Sequence, residues 1–397
     1  MEFMSRRSRL PGNFMPARSA AILVLSSASV FFSACRAHDF PNYSSRYREY
    51  AYVSNSAGNT VTVLDLVNLR LDRVIQVGSR PGSLAANPTK NEVYVANTGS
   101  STVSIIDAEK NAVVATLPVR RDPASISVDG SGRRAYISNA GSNSISVLDL
   151  NTRRDIATIG VGEQPVMARV TPDDSAVVVA NHGGNSASIV DPVAQKVRAV
   201  FEGCPGAMDV AILPDSSKAF VACSGGHQVM AIGLAQPATA TLPALPDRLL
   251  AMLDVGKSPV NLAIKPDGGE IFVSNQGSDA ISEIATGANE VGGTYTIGQS
   301  PERGLVSADN STLYVSNSGA DNVAIYSIDD GHLLDSVSTG RGPGPMALTA
   351  AGHLLLVADS GSGDVTLLRT KMRSLFTLLP AGSKPADIVV KAFELKK

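Results

Sequence analysis

The chain has 397 residues, of which 34 are basic and 36 acidic, for a formal net charge of -2. That balance excludes a general nucleic-acid binder, because phosphate backbones are held by clustered Lys and Arg. A hydrophobic share of 44% is enough for a core, a charged share of 18% is low for a cytosolic enzyme, and 35 Gly with 22 Pro punctuate many turns.

The first segment reads as an export signal. Arg6, Arg7, Arg9 and Arg18 precede an apolar run from Ala20 to Phe32, followed by SAC ending at Cys35. The run is too short to span a bilayer comfortably. Met15 offers a more compact start than Met1 or Met4. Phe32-Ser33-Ala34-Cys35 resembles a bacterial lipobox, which would make Cys35 the lipidated N-terminus; its Phe departs from the usual aliphatic residue, and ordinary cleavage near Ala34 or Ala37 is the alternative. Either route leads to the periplasm or outer envelope, with a membrane anchor if Cys35 carries lipid. Removing residues 1–34 leaves 30 basic and 35 acidic side chains. Residues 35–49 read as a polar tether, 50–391 as one domain and 392–397 as a tail.

From Ala51 onward one phrase recurs. AYVSN ends at Asn55, and counterparts end at Asn97, Asn139 and Asn181, 42 residues apart each time. The next slot holds Cys223, then come Asn275 after a ten-residue excess, Asn317 and Asp359. Each copy carries four short β signals: an apolar run opened by Pro, the YVSN strand, a SISVLDL-like strand and a DIATIGVG-like strand. Repeats of this kind close radially as a β-propeller. The chain enters on a YVSN strand and leaves on an opening strand, PADIVV from Pro385. Joining the two removes two bare edges. The expected fold is all-β: an eight-bladed β-propeller of four-stranded antiparallel blades, one blade closed by strands from both termini. The excess in Gly233–Leu253 falls between the third and fourth strands of one blade. It reads as a tolerated decoration, or as a docking loop carrying Leu245, Leu249 and Leu250.

These YVSN and YVAN phrases, with the [ST]-[VI]-x-[VI]-[ILY]-D pattern after them, resemble the YVTN-family β-propeller repeat, the YncE-like proteins of bacterial extracytoplasmic compartments. The resemblance covers about residues 50–391. It implies the fold, and a binding or scaffold role; related propellers also occur in quinoprotein dehydrogenases, nitrite and nitrous oxide reductases, and lactonases. Cys223 and Asp359 depart from the pattern.

In such a ring the opening strands line the channel, and the segments before each Pro cross one face. They read GSRP, RRDP, GEQP, GKSP, GQSP, GRGP and GSKP. Their varying residues, with the first residues of the strands, are the candidate ligand face: Arg80, Arg121, Asp122, Glu163, Lys257, Glu302, Arg303, Arg341, Lys384 and Asp387. A solvated mouth is the bland alternative. His182 and His227, in loops of neighbouring blades, are a weak metal candidate, since a stable site wants three or four ligands. Cys204 and Cys223 fall at one end of one blade, in positions otherwise Gly and Asn or Asp. Export would let them persist as a disulfide; two free thiols are the alternative. No CxxCH, GxSxG, P-loop or Rossmann string occurs in context, and no catalytic residue is nominated. The absence of Trp argues against a Trp-docked quinone blade. No cofactor is expected, and a metal is the less favoured alternative, at the two histidines or at converging carboxylates of the channel mouth.

The functional expectation is an extracytoplasmic binding or scaffold protein of the cell envelope. Its partner would be a protein or a small polar or anionic ligand, with no nucleic acid, and the chain is read as a monomer. The alternatives are a metal-dependent hydrolase or lactonase-like enzyme, which would need Asp122, Glu163, Glu302 and Asp387 to converge, and a structural or adhesive surface protein.

Overall fold

Each copy alternates β-branched or aromatic residues with small polar ones, and each becomes four antiparallel strands joined by tight turns. The computed structural model describes residues 41–238 and 243–396. The chain divides at Asn42, and the body from Tyr43 onward is a ring of eight four-stranded sheets. Cys35 and the export segment lie outside the described residues. Blade 1 combines Tyr47–Asn55, Thr60–Asp65 and Arg70–Gln76 with the last strand, Pro385–Glu394. Blades 2 to 8 follow in chain order, opening at Pro81, Pro123, Pro165, Ala207, Pro259, Pro301 and Pro343. Each opening strand packs against the opening strand of the next blade, and the series returns from Pro385–Glu394 to Pro81–Ala86.

The core lies between blades. Second and third strands are buried along almost their whole length, whereas fourth strands alternate buried and exposed on the circumference. Each apolar cluster joins two neighbours, as when Tyr136 and Val147 of blade 3 meet Ala168 and Val179 of blade 4. The aromatic of the repeat phrase fills this gap, and its hydroxyl finds a partner, as a buried Tyr requires. Tyr52 donates to Asn111 Oδ1 at 2.5 Å, and Tyr94 donates to Glu92 at 2.7 Å.

The Asn that ends the phrase is a clasp. Asn97 is fully buried and its Nδ2 donates to Thr102 Oγ1 (3.1 Å) and Ser104 Oγ (2.9 Å) on the third strand. Asn181 does the same with Ser186 and Ser188. A Gly of the crossing segment lies on the Asn: a Cβ at Gly162 would come within 2.6 Å of Asn181 Cγ, and one at Gly256 within 2.7 Å of Asn275. In blade 5 these two positions are Cys204 and Cys223, and the structure joins them by a disulfide with Cα atoms 4.8 Å apart. The covalent bond replaces the Gly-on-Asn contact.

The body is longer than the expected 50–391. The strand pair of blade 1 runs from Tyr47↔Glu394 to Asn55↔Pro385, so residues 47–49 of the expected tether and 392–394 of the expected tail belong to the sheet. The polar residues that suggested a tether are engaged. Glu49 is fully buried and its Oε1 accepts from Ala350 N at 2.6 Å. Tyr43 stacks on Tyr47 with ring centroids 4.6 Å apart.

The described part of the insertion in blade 5 is anchored at Asp247. Asp247 accepts two hydrogen bonds from Arg198 of blade 4, at 2.8 and 3.0 Å, and one from Ala235 N at 2.8 Å. Leu249 and Leu250 lie in the fourth strand, and Leu250 packs into the core between blades 5 and 6, which removes it from any docking loop.

Two outcomes follow from the ring. Deleting residues 384–397 exposes the edge of Tyr47–Asn55 together with an apolar face; the truncated protein is expected to aggregate or melt well below the full chain, and an unchanged melting point would refute closure by the two ends. The second concerns Asp359 in the clasp slot. Burial, with Asp364 close by, pushes its carboxyl up to about 7, while Thr366 donates to it and opposes the shift. The folded protein therefore holds a proton there that the unfolded chain has lost, and stability falls as pH rises from the ordinary carboxylate range to about 7. Asp359→Asn, which recreates the Asn317→Asn322 bond of the preceding blade, is expected to add roughly 1–3 kcal/mol at pH 8 and little at pH 4. Denaturant melts of both proteins at the two pH values check this; equal stability at pH 8 would contradict it.

Candidate functional site

The opening strand of each blade is an inner edge, with one side paired to the second strand and the other facing the next blade. Unpaired edge N–H groups must find acceptors. The third residue of the opening strand supplies them. Ser83 accepts from Ile126 N, Ser125 from Ala168 N (3.0 Å), Asp209 from Leu262 N (3.0 Å), Asn261 from Gly304 N (2.8 Å) and Asp387 from Leu84 N (2.8 Å). Met167, Arg303 and Pro345 hold this position in the other three blades and cannot accept. Asp387 serves one of the deprived groups itself, taking Ile388 N on its second oxygen at 2.9 Å.

These strands enclose an axial cavity of about 720 Å³, lined by residues of all eight opening strands and by Gln276 from a loop of the crossing face. Among its walls are Arg169, Glu302, Arg303 and Asp387. Arg169 pairs with Asp209 at 3.3 Å, and Asp209 is itself buried and also held by Asn261 Nδ2 at 2.7 Å. Burial raises the Glu302 carboxyl, with the Arg303 charge and the Ser318 hydroxyl opposing. Burial likewise raises Asp387, against the Leu84 N–H and the charges of Arg303 and Arg169. The Arg303 guanidinium makes no hydrogen bond or ion pair with a described residue.

The ten expected ligand-face residues therefore divide. Glu302, Arg303 and Asp387 stand in the channel. Arg80, Arg121, Asp122, Lys257, Arg341 and Lys384 stand on the exposed rim. Arg80 and Asp122 face each other at 3.6 Å, both more than half exposed, so their pairing contributes little. Arg341 reaches Gly361 O at 3.3 Å. Glu163 borders a separate hollow on blade 4 with Glu202 and Val200. Asp122, Glu163, Glu302 and Asp387 do not converge, and no three His, Cys, Asp or Glu group to hold a metal among the described residues. Arg169, Asp209, Asn261 and Gln276 were not among the expected residues. The first three sit inside opening strands, where a polar residue in an apolar run is the signal that could have found them.

His227 belongs to a structural series. Asn59, Asn143, Asn185, His227, Asp279 and Asp321 occupy one loop position in six of the eight blades, all with left-handed backbone near φ 50–55, and Ser101 and Gly363 hold it in the other two. Each of the six side chains accepts the N–H of the residue just before the next opening strand: Arg80, Gln164, Gly206, Ser258, Ser300 and Gly342. The His227 contact, Nδ1 to Ser258 N, measures 3.3 Å. The imidazole does the work of an Asn or Asp.

The model of the family described as YNCE-like beta-propeller matches residues 124–388, more than half of the chain. The chain belongs to this family. No functionally curated sequence matches this YncE-like propeller significantly. Among solved structures it is similar to hydrazine synthase of Kuenenia stuttgartiensis, at 20% identity over 80% of this chain and 92% of that one, with a TM-score of 0.57. AztD of Citrobacter koseri is 15% identical over 88% and 100% of the two chains, with a TM-score of 0.67. Dihydro-heme d1 dehydrogenase NirN, in a complex with DHE, is 16% identical over 86% and 74%, with a TM-score of 0.68. At these identities the likeness is one of fold.

If His227 is a loop clasp, His227→Asn should keep the melting point, while His227→Ala should lose about 0.5–1.5 kcal/mol, the worth of one hydrogen bond. Thermal melts with and without added zinc check this. A zinc-dependent stabilisation abolished equally by both substitutions would restore the metal reading.

Proposed function

We propose that this YncE-like propeller is an extracytoplasmic binding protein of the cell envelope that takes a small polar ligand in its axial channel. The observation that carries the reading is the cavity of about 720 Å³ in which Arg303 has no partner and Glu302 has no counter-ion within pairing distance among the described residues. A half-buried charge in a cavity gains from a partner, and a bound ligand would supply one. The Asn, Asp and His side chains of the crossing loops are engaged in holding blades together and the rim charges are solvated, so the channel, rather than the rim, offers enclosed charges without partners. The binding or scaffold character agrees with a rigid ring whose inner positions vary while its clasps repeat.

The location outside the cytoplasm is supported by the Cys204–Cys223 bond, since such bonds persist in oxidising compartments, and by the leader-like first segment. Among the described residues no helix is long and apolar enough to cross a membrane. Attachment through lipid on Cys35 is part of the proposal, and mass measurement of the mature N-terminus addresses it.

The test is a thermal-shift screen of amino acids, organic acids, sugars and phosphate esters against the mature chain. A ligand at about a hundred times its Kd should stabilise the protein by ~2.7 kcal/mol. The shift is expected to vanish in Arg303→Gln and to persist in the rim variants Arg121→Gln and Arg341→Gln. Stabilisation lost from the rim variants but kept in Arg303→Gln would move the site out of the channel and overturn the reading.

A further inference from the structure

Glu302 and Arg303 are consecutive residues of the extended strand Pro301–Val306. Consecutive side chains of a strand project to opposite sides. The carboxylate and the guanidinium therefore form no ion pair with each other, although both line the same cavity and the Arg303 charge is felt at Glu302. The other charged groups of the channel are committed. Arg169 is paired with Asp209 at 3.3 Å, and each oxygen of Asp387 accepts a backbone N–H. Glu302 has room because the next blade carries Gly344 beside it: a Cβ there would stand 3.1 Å from Glu302 Oε1. In blades 4, 5 and 6 the position of Glu302 is taken by Val166, Met208 and Val260, which give that arc of the channel an apolar wall.

We propose that the channel ligand is zwitterionic, a carboxylate and an ammonium carried on an apolar body, as in an apolar amino acid or short peptide. Arg303 takes the carboxylate, Glu302 takes the ammonium, and the apolar body lies along the arc of Val166, Met208 and Val260. This inference rests on the channel being the ligand site. Both ends of such a molecule lose water on entry, and each regains a charge-assisted hydrogen bond. A molecule with one charge leaves either Glu302 or Arg303 dehydrated and unpaired, which is the source of discrimination.

Isothermal titration of the mature chain with L-leucine, leucyl-leucine, 4-methylpentanoate and 3-methylbutylamine tests this. Leucine or the dipeptide is expected to bind at least about tenfold more tightly than either single-charge analogue, the loss that one missing buried partner brings. Arg303→Gln should erase the preference over the amine, and Glu302→Gln the preference over the acid, with both variants melting like the parent. A single-charge analogue that binds as tightly as the zwitterions, or a preference unchanged by both substitutions, overturns the inference. Binding of 4-methylpentanoate alone, lost in Arg303→Gln, overturns the zwitterion and leaves the channel as the ligand site. If none of the four binds, the zwitterion is overturned and the broader screen decides the channel independently.

Discussion

The antiparallel pairing of Tyr47–Asn55 with Pro385–Glu394 is the constraint on which the ring rests. Each blade buries its faces only against two neighbours, so an open array would leave two apolar faces and two strand edges in water. Closing residues more than 300 positions apart costs loop entropy that grows only logarithmically with length. The return is large, because the same strand also completes the channel. Asp387, on the closing strand, holds Leu84 of the next blade and Ile388 of its own. The site therefore exists only in the closed ring.

A second set of interactions keeps the blades in register on the crossing face. Asn at the end of the second strand ties it to the third, and the left-handed loop residue ties one blade to the next. These roles account for the many Asn and Ser residues that a reading for ligand chemistry would otherwise count as site residues. The roles tolerate substitution where geometry is kept. Cys204 with Cys223 replaces Gly with Asn, His227 replaces Asn or Asp, and Asp359 replaces Asn at the expense of a carboxyl pushed up to about 7 by burial.

With those residues assigned to the fold, the channel holds two charged side chains, Glu302 and Arg303, that have no ion-pair partner among the described residues. Its wall combines committed charges, Arg169 held by the buried Asp209 behind it and Asp387 by two backbone N–H groups, with Glu302 and Arg303, which have no ion-pair partner. The repeat explains the contrast. At the third position of the opening strand Ser, Asp or Asn accepts a neighbouring N–H, whereas Arg303 has no acceptor to offer and its positive head group stays in the cavity.

Strand count, blade number and closure are legible in the residues, because a 42-residue period with YVSN-type strands allows few architectures and the phase of the two ends demands a shared blade. The pairing of Cys204 with Cys223 is legible as a shared departure from Gly and Asn. The extra strand residues at 47–49 and 392–394 are not, since their polar side chains look solvated until Glu49 meets Ala350 across the blade junction. The candidate site is legible only in part. Spacing from each Pro brings Glu302, Arg303 and Asp387 to notice together with seven residues of the rim and outer loops. Only the packed ring separates them, because which side chain faces the axis, and which finds a partner there, depends on the neighbouring blade and not on the residues beside it in the chain.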